Sequence, residues 1–344
     1  MSLSLRQRWR QTHDAARILE RIQGCLREEF RLVSRHIEAA MATETRLTRE
    51  VGDYLREAKS KRLRAAMHLF AARACGYQGQ SHTRVAAAIE LIHLATLLHD
   101  DVIDRADSRR GRPSVNAKWN NSIAILMADF LYSRGYSLFV EELDPRGTAL
   151  IAESTAFMCE GEMFQLQKER DILTPDDYYH VIEAKTANLF SVAMKLGGIL
   201  AGAGDDTLQR LGEFGRCFGM AFQITDDTLD YVAESGQWGK GIGADVACGK
   251  QTLPLIHALQ VADRKDRDFL TAQLELGGSS QPEGATLDTR AVIETVLRYD
   301  AIEYSRRIAA DFARRAAESI HPLPASKDRD FLLDLANYVV NRDY

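Results

Sequence analysis

Apolar residues recur at helical spacing along most of the chain, whereas runs of period-two alternation bounded by hairpin turns are nearly absent. Two segments, Val85–Leu98 and Phe214–Leu229, are apolar almost all the way round. That pattern is typical of helices buried inside a bundle, because a surface helix keeps one polar face. The sequence therefore predicts an all-α protein.

Helix starts and breaks divide this pattern. Thr174–Asp177 reads Thr-Pro-Asp-Asp, which predicts a helix start with an N-cap, a first-turn proline and acids suited to the helix dipole. The glycine-containing stretches Gly76–Gln80 and Gly202–Asp205 predict breaks between helices. We interpret residues 25–344 as one helical domain and residues 1–24 as a basic N-terminal helix.

A stripe of glycines lies at and just before the start of the second apolar segment. Gly212, Gly215 and Gly219 are spaced about one turn apart. Since each glycine costs a helix about 1 kcal/mol relative to alanine, the stripe indicates close packing against a neighbouring backbone.

Composition narrows the class of protein. The chain has 344 residues and a net charge of −5, whereas proteins that bind nucleic acid usually carry a basic surplus. No apolar run approaches the ~18–20 residues of a membrane span. The five cysteines are scattered without CxxC spacing, which argues against a disulfide framework or a zinc site. We expect a cytoplasmic protein with no membrane span and no nucleic-acid partner.

Each of the two apolar segments ends in three aspartates at the same spacing. The two triads are Asp100, Asp101 and Asp104, and Asp226, Asp227 and Asp230. Carboxylates crowded at the end of an apolar helix repel one another and are costly to desolvate, so they require cations. Oxygen-only ligands select a hard ion such as Mg²⁺, which takes one or two carboxylates together with substrate phosphates. One triad alone would also fit a solvated acidic helix end; two triads make that interpretation poor.

Basic residues lie near both triads in sequence, and they are the partners that a diphosphate group needs. They are Lys61, Arg62, Arg64, Arg109, Arg110, Arg112, Lys185, Lys240 and Lys250. Any one of them alone is typical of a solvated helix face. His93 lies two turns before Asp100 on the same stripe, and Gln223 lies one turn before Asp227 on a shared face.

Several ordered stretches together resemble the trans-isoprenyl (polyprenyl) diphosphate synthase family, and its octaprenyl-forming members in particular. The stretches are Leu97–Asp104, Arg109–Pro113, Gly161–Gln165, Lys185–Ala187, Phe222–Asp230, Gly249–Leu255 and the C-terminal Tyr338–Tyr344. The resemblance implies a single-domain bundle of antiparallel helices around a central cavity, acting as a homodimer.

The resemblance also implies roles for individual residues. The implied metal ligands are Asp100, Asp104 and Asp226, and the implied catalytic residues add Asp101, Lys185 and Asp227. The residues implied to bind the allylic diphosphate are Arg109, Lys185, Gln223 and Lys240, and Thr186 and Lys250 are further implied substrate-binding residues. Those implied to bind isopentenyl diphosphate are Lys61, Arg64, His93 and Arg110. The chain departs from the family at Lys59, Ser60 and Ala65, where glycines and a proline are usual, which puts the isopentenyl site in question.

The implied reaction condenses isopentenyl diphosphate with an allylic diphosphate on about three Mg²⁺ ions. Ala95 and Thr96 lie about one turn deeper than Asp100, where short-chain members of the family carry an aromatic residue. Both are small, so we predict a long product, and the resemblance implies about eight isoprene units, as used in ubiquinone side chains. Ile89, Ile92 and Met127 are candidates for the floor of the passage.

Four alternatives stay open on the sequence alone. The chain could be a shorter-chain farnesyl or geranylgeranyl diphosphate synthase, or a class I terpene cyclase, which needs no second diphosphate pocket. It could be a non-catalytic subunit of a heteromeric synthase, although such subunits often lack one aspartate triad. A metal-dependent phosphohydrolase would normally show histidine ligands, and His99 alone adjoins a triad.

Overall fold

Helices make up nearly all of the regular structure in the computed structural model, which describes residues 16–58, 60–109, 111–169, 171–232, 243–277 and 287–342. The first helices are α1 (16–25), α2 (Arg27–Ala40), α3 (Arg46–Arg56), α4 (Leu63–Ala74), α5 (Ser81–Ile103), α6 (Val115–Lys118), α7 (Asn121–Glu142) and α8 (Pro145–Gln167). They are followed by α9 (Pro175–Ile182), a π-helical turn (Glu183–Ala187), α10 (Asn188–Leu200), α11 (Asp205–Leu229) and α12 (Ala244–Ala247). The last are α13 (Leu253–Val261), α14 (Arg264–Gly277), α15 (Thr289–Leu297), α16 (Ala301–Ile320) and α17 (Lys327–Asn341). The prediction of an all-α protein is confirmed.

One short hairpin interrupts the helices in the described part of the chain. Strand β1 (Ser108–Arg109) pairs antiparallel with β2 (Arg112–Pro113) directly after α5. Gly111 has a φ of +75°, a conformation that glycine adopts without steric cost. The sequence did not predict this hairpin, because two-residue strands leave no alternating pattern to read.

The two apolar segments form the long helices α5 and α11. Helix α5 packs along α7, while α11 packs between α10 and α16. A Cβ atom at Gly215 would collide with the carbonyl oxygen of Phe190, and one at Gly219 would collide with Ala187. The predicted close backbone packing is therefore confirmed, and it occurs between α11 and α10.

The start of α9 has the predicted cap. The Thr174 hydroxyl accepts from the Asp177 backbone N–H at 3.1 Å, and the Asp177 carboxylate accepts from the Thr174 N–H at 3.0 Å. This reciprocal pair satisfies two backbone donors that a helix start leaves exposed. Helix α9 then runs directly into the π-helical turn and α10, so its cap orients the whole segment.

The two ends of the described chain share one apolar core. Ile22 of α1 is buried together with Phe70 of α4 and Leu332 of α17. The ring of Phe331 stacks on Phe70 with 4.9 Å between the ring centroids. Residues 1–15 lie outside the described residues, and the division at residue 24 stays a prediction.

Helix α7 is the one helix of the described residues that is long and apolar enough, by length and composition, to cross a membrane. About a third of its apolar window, 33%, is buried in this structure. Core helices and interface helices meet the same criteria, so this finding does not indicate a membrane span.

Candidate active site

The first aspartate triad lies at the C-terminal end of α5, where Asp104 is the C-cap residue. Backbone carbonyls give this end of a helix a partial negative charge, so three carboxylates here are unfavourable without cations. Burial raises the pKa of Asp100 to about 6, and Glu162 and Asp104 add to the increase against the opposing charges of Lys185 and Arg109. The site is therefore short of positive charge around Asp100.

Cations from outside α5 meet the other two carboxylates of this triad. Arg109 Nε donates to Asp101 Oδ1 at 2.6 Å, and Lys250 Nζ donates to Asp104 Oδ2 at 2.9 Å. Burial alone would lower the pKa of Lys250, but the Asp104 carboxylate outweighs burial and the pKa is raised. The Lys250 contact also joins the end of α5 to the segment that follows α12.

Lys185 is held beside Asp100 by α8. Its ammonium group forms an ion pair with Glu162 and donates to Gln165 Oε1 at 3.0 Å. The π-helical turn Glu183–Ala187 contains Lys185 and Thr186. Such turns insert a residue into a helix and often occur at functional sites.

The second triad ends α11 and has different partners. Asp226 is half exposed and lies 3.3 Å from Arg342 Nη2. Asp227 is buried and accepts from the Tyr178 hydroxyl at 2.6 Å and from Gln223 Nε2 at 2.7 Å.

The pKa of Asp227 is raised, mainly by burial and further by the nearby Asp245. The two donated hydrogen bonds oppose that shift because they favour the ionised form. Neutral donors thus supply the contacts that cations supply in the first triad.

Asp230 acts as a cap within the fold. Its carboxylate accepts from the backbone N–H groups of Ala244 at 3.1 Å and Asp245 at 2.9 Å, at the start of α12. Both carboxylate oxygens of Asp230 therefore hold the first residues of α12 in place. Lys240 lies outside the described residues, as do Arg110 and Lys59.

A separate basic cluster, formed by Lys61, Arg64 and His93, lies between α4, α5 and α17. Arg64 Nη1 lies 3.2 Å from His93 Nε2, and its guanidinium is 4.2 Å from the centre of the Phe190 ring. Lys61 Nζ donates to the Tyr338 hydroxyl at 3.2 Å. The structure thus places Arg64 in contact with His93, and Lys61 beside Tyr338 of α17; their binding of isopentenyl diphosphate stays a prediction.

The donor chemistry of the two triads fits Mg²⁺ shared with a substrate. Within the described ranges, no three His, Cys, Asp or Glu side chains lie close enough to hold an ion by themselves. Magnesium ions usually keep few protein carboxylates and complete their shell with phosphate oxygens and water. Asp100, Asp104 and Asp226 provide carboxylate oxygens of the required type.

The two residues predicted to set product length occupy different surroundings. Ala95 is fully buried beside Met127 in the core between α5 and α7. Thr96 is partly exposed on the face of Asp100, and its hydroxyl donates to the His93 carbonyl at 2.7 Å. Ile89 and Ile92 lie in a different buried cluster, between α5, α7, α8 and α10.

A pocket of about 610 Å³ lies between α8, α10 and α11. Arg146, Lys195 and Glu213 are among its lining residues, and none of the predicted site residues lines it. We therefore assign the site to the aspartate triads and their partners rather than to this pocket.

Three contacts at the site were missed by sequence reasoning. Tyr178, Glu162 and Arg342 each bind a predicted site residue, yet none was singled out for a role. Glu162 and Arg342 each lie in a stretch that carries the resemblance, whereas we find no signal in the sequence for Tyr178.

Comparison with known proteins agrees with this geometry. The family model described as "Polyprenyl synthetase" matches residues 45–286. The chain belongs to this family. It is 35% identical to the octaprenyl diphosphate synthase of Escherichia coli (strain K12) over 326 residues, covering 94% of this chain and 99% of that relative.

Another relative of this chain is the all-trans-nonaprenyl-diphosphate synthase (geranyl-diphosphate specific) of Rhodobacter capsulatus. The two are 37% identical over 92% of this chain and 95% of the relative. Among solved structures, the polyprenyl synthase from Caulobacter crescentus CB15, complexed with calcium and isoprenyl diphosphate, has a TM-score of 0.88 at 32% identity. The match covers 94% of this chain and 98% of that one.

Relatives with other product lengths are similar to nearly the same degree. They include the heptaprenyl diphosphate synthase component 2 of Geobacillus stearothermophilus, at 36% identity, and the geranylgeranyl diphosphate synthase of Methanosarcina mazei, at 33%. The similarity therefore identifies a prenyltransferase of the trans-prenyl diphosphate synthase family but does not settle the product length.

Proposed function

We propose that the synthase condenses isopentenyl diphosphate with an allylic diphosphate to make a long-chain all-trans polyprenyl diphosphate. The observation that carries this proposal is the linkage of the two triads through one helical turn. Lys185 lies beside Asp100, while the adjacent Thr186 donates to Gln223 Oε1 at 2.9 Å, and Gln223 in turn donates to Asp227. One diphosphate group bound at this turn would contact both helix ends.

The residues of this site have distinct parts in the proposed reaction. Asp100, Asp104 and Asp226 would hold Mg²⁺, about three ions by family resemblance, which when bound supplies positive charge against the departing diphosphate. Lys185 of the π-helical turn and Lys250 after α12 would contact the same diphosphate. Their charges are directed at the oxygens where negative charge develops as the allylic C–O bond breaks.

The second substrate would bind at the cluster of Lys61, Arg64 and His93. These groups are cationic or can donate hydrogen bonds, and no carboxylate of either triad is among the partners described for the cluster. The isopentenyl double bond attacks the allylic carbon, and the proton then lost passes to the released diphosphate. Apolar walls around the site exclude water, which would otherwise capture the allylic cation.

We propose a product of about eight isoprene units, suited to ubiquinone side chains. Ala95 and Thr96 leave the passage below Asp100 without an aromatic obstruction at that depth. Ile89 and Ile92 lie on the next turns of α5, and successive turns are about 5 Å apart along the helix axis. Met127 is also a candidate for the floor, because it shares a buried core with Ala95.

We also propose that the protein is a cytoplasmic homodimer. Helix α7 exposes Ile125, Leu126 and Val140, and the neighbouring helix α8 exposes Met163 and Leu166. Exposed apolar side chains on neighbouring helices are typical of an interface between protein chains. Analytical ultracentrifugation tests the state, and Leu126→Asp is expected to shift a dimer towards monomer.

Product analysis tests the proposed reaction. Purified protein is incubated with Mg²⁺, isopentenyl diphosphate and farnesyl diphosphate, and the chain length of the product is measured by mass spectrometry. We expect an ordered series ending at about eight units. A series that stops at four units would identify a short-chain synthase, and consumption of the allylic substrate alone would identify a cyclase. Product formation only after a second protein is added would identify a subunit of a heteromeric enzyme.

A further inference from the structure

The carboxylate of Asp227 is held by a side chain from a different helix. Tyr178 of α9 is 3% exposed and its hydroxyl lies 2.6 Å from Asp227 Oδ2. The other oxygen, Oδ1, accepts from Gln223 Nε2 at 2.7 Å. Each oxygen of Asp227 therefore accepts one hydrogen bond, from Tyr178 of α9 and from Gln223 of α11.

These contacts determine which way the Gln223 amide points. A carboxylate oxygen accepts hydrogen bonds, so it selects the NH₂ end of the amide and turns the carbonyl end away. That carbonyl, Oε1, accepts from the Thr186 hydroxyl at 2.9 Å. The orientation of Asp227 thus fixes the orientation of Gln223, and Gln223 fixes the proton of Thr186.

The ring of Tyr178 is in a rigid position. It packs in a buried cluster with Met220 and Ile224 of α11 and Leu253 of α13. Its helix begins at the capping box of Thr174 and Asp177 and continues without a break into the π-helical turn. The hydroxyl that meets Asp227 is therefore presented by the same continuous segment that carries Lys185 and Thr186.

We propose that Tyr178 is a positioning residue for the allylic diphosphate site: its hydroxyl holds Asp227, and through it Gln223 and Thr186, in the orientation that receives the diphosphate. This inference rests on the proposed function. It places a determinant of substrate binding on α9, outside the stretches that carry the family resemblance.

Tyr178→Phe removes the hydroxyl and keeps the buried ring. Since a hydrogen bond to a charged group contributes about 1.5–3 kcal/mol, we expect the Michaelis constant for the allylic diphosphate to rise about tenfold or more. The constant for isopentenyl diphosphate is expected to stay within twofold, because we propose that this substrate binds at Lys61, Arg64 and His93 instead. Calorimetric binding of inorganic diphosphate in the presence of Mg²⁺ gives a readout without turnover, and we expect a matching loss of affinity.

Two control variants remove other tyrosine hydroxyls. Tyr299→Phe deletes a hydroxyl that donates to Asp266 at 2.8 Å, away from the site. Tyr231→Phe deletes one that is 3.0 Å from the Thr252 hydroxyl in a buried setting like that of Tyr178. Both are expected to leave the two Michaelis constants unchanged, and thermal unfolding checks that all variants are folded.

A double variant separates positioning from a general loss of packing. If Tyr178 acts through Gln223, then Tyr178→Phe in a Gln223→Leu background adds little further loss of allylic affinity. Additive losses, or equal losses for both substrates, would overturn the proposal. Failure of the proposed function would look different, because wild-type protein would then form no polyprenyl product at all.

Discussion

The ends of α5 and α11 carry the same aspartate spacing but are stabilised in opposite ways. At the end of α5, Arg109 and Lys250 pair with two of the three carboxylates. At the end of α11, the middle carboxylate is held by the neutral groups of Tyr178 and Gln223. Asp230 there accepts backbone N–H groups, and Arg342 contributes the ion pair.

This difference shows that one sequence motif can have two structural meanings. Ion pairs at the mouth of a site can be exchanged for a metal ion and a diphosphate, since all these groups compete for the same charge. Contacts from neutral side chains and backbone amides are part of the fold and stay in place. We interpret the α5 end as the adaptable half of the site and the α11 end as the preformed half.

The largest expected effect comes from removing one carboxylate at each end. Asp100→Ala and Asp226→Ala are each expected to lower turnover by about 10²–10³-fold, because each removes a proposed ligand of the Mg²⁺ that would stabilise the departing diphosphate. Their effects on folding should differ. Asp100 is buried with a raised pKa, so its loss is not expected to lower the thermal midpoint, whereas loss of Asp226 removes an ion pair of the buried Arg342.

Steady-state kinetics and thermal unfolding measure the two effects separately. Asp311→Ala, which breaks an exposed ion pair with Arg314 in α16, serves as the control. Near-normal turnover of either site variant at saturating Mg²⁺ would contradict the assignment of the metal site. Equal changes in midpoint would remove the distinction between the two ends.

A smaller effect is expected at the basic cluster, where we propose that isopentenyl diphosphate binds. His93→Ala removes the imidazole that lies 3.2 Å from Arg64. We expect the Michaelis constant for isopentenyl diphosphate to rise by about one to two decades, with little change for the allylic substrate. The same split is expected for Arg110→Ala. His321→Ala, exposed after α16, is the control, and parallel changes for both substrates would show that the two pockets are not separate.

A pH-dependent effect on stability is expected at the contact between α4 and α10. These two helices pack against α5 and α11, which carry the aspartate triads. His68 is fully buried, its Nδ1 donates to the Ala193 carbonyl at 3.0 Å, and burial lowers its pKa to about 4. In the unfolded chain His68 therefore takes up a proton near pH 6.5, whereas in the folded chain it does so only near pH 4. Stability that is present above pH 6.5 is lost progressively as the pH falls towards 4.

Between pH 7 and pH 5.5 we expect the free energy of unfolding of the wild type to fall by about 1 kcal/mol more than that of His68→Asn. Asparagine keeps a donor for the Ala193 carbonyl but does not titrate. The raised pKa of Asp100 acts in the opposite direction in both proteins, so it cancels in the comparison. Denaturant titrations at the two pH values measure the difference, and parallel losses would exclude His68 as the cause.

The smallest change in rate is expected from Ala95→Phe, which acts below the α5 triad. The large ring would obstruct the passage one turn below Asp100 and shorten the product towards three or four isoprene units, while the first condensations continue. Ala95→Ser adds one small atom and is expected to leave the product length unchanged. Product distributions of the three proteins decide the point, and an unchanged length for Ala95→Phe would place the passage elsewhere.

Local patterns predicted the parts of the molecule that depend on neighbours in sequence. The capping box at Thr174, the glycine stripe and the ends of α5 and α11 all follow from spacing along a helix. Pairings between distant residues do not leave such patterns. Lys250 meets Asp104 across 146 positions and Arg342 meets Asp226 across 116, so only the assembled fold reveals them.

Arg62 illustrates the same limit on a smaller scale. Taken alone in the sequence, it fits a solvated helix face. In the structure it has a left-handed φ of 50° before α4, and its guanidinium donates to Ser34 at 2.8 Å and to the Phe30 carbonyl at 3.1 Å. Its partners lie on α2, and no periodic signal in the sequence connects the two segments.

Helix α17 follows every other element that the structure describes, and this has a consequence for how the protein is made. This helix and the C-cap residue Arg342 complete both halves of the site, since Tyr338 reaches Lys61 and Arg342 reaches Asp226, while Phe331 covers Phe70. During translation the earlier helices emerge from the ribosome first and can assemble before α17 exists. We expect the nascent chain to carry an exposed apolar face and an unfinished substrate pocket, so that the ability to bind substrate is acquired only when synthesis of the last helix is complete.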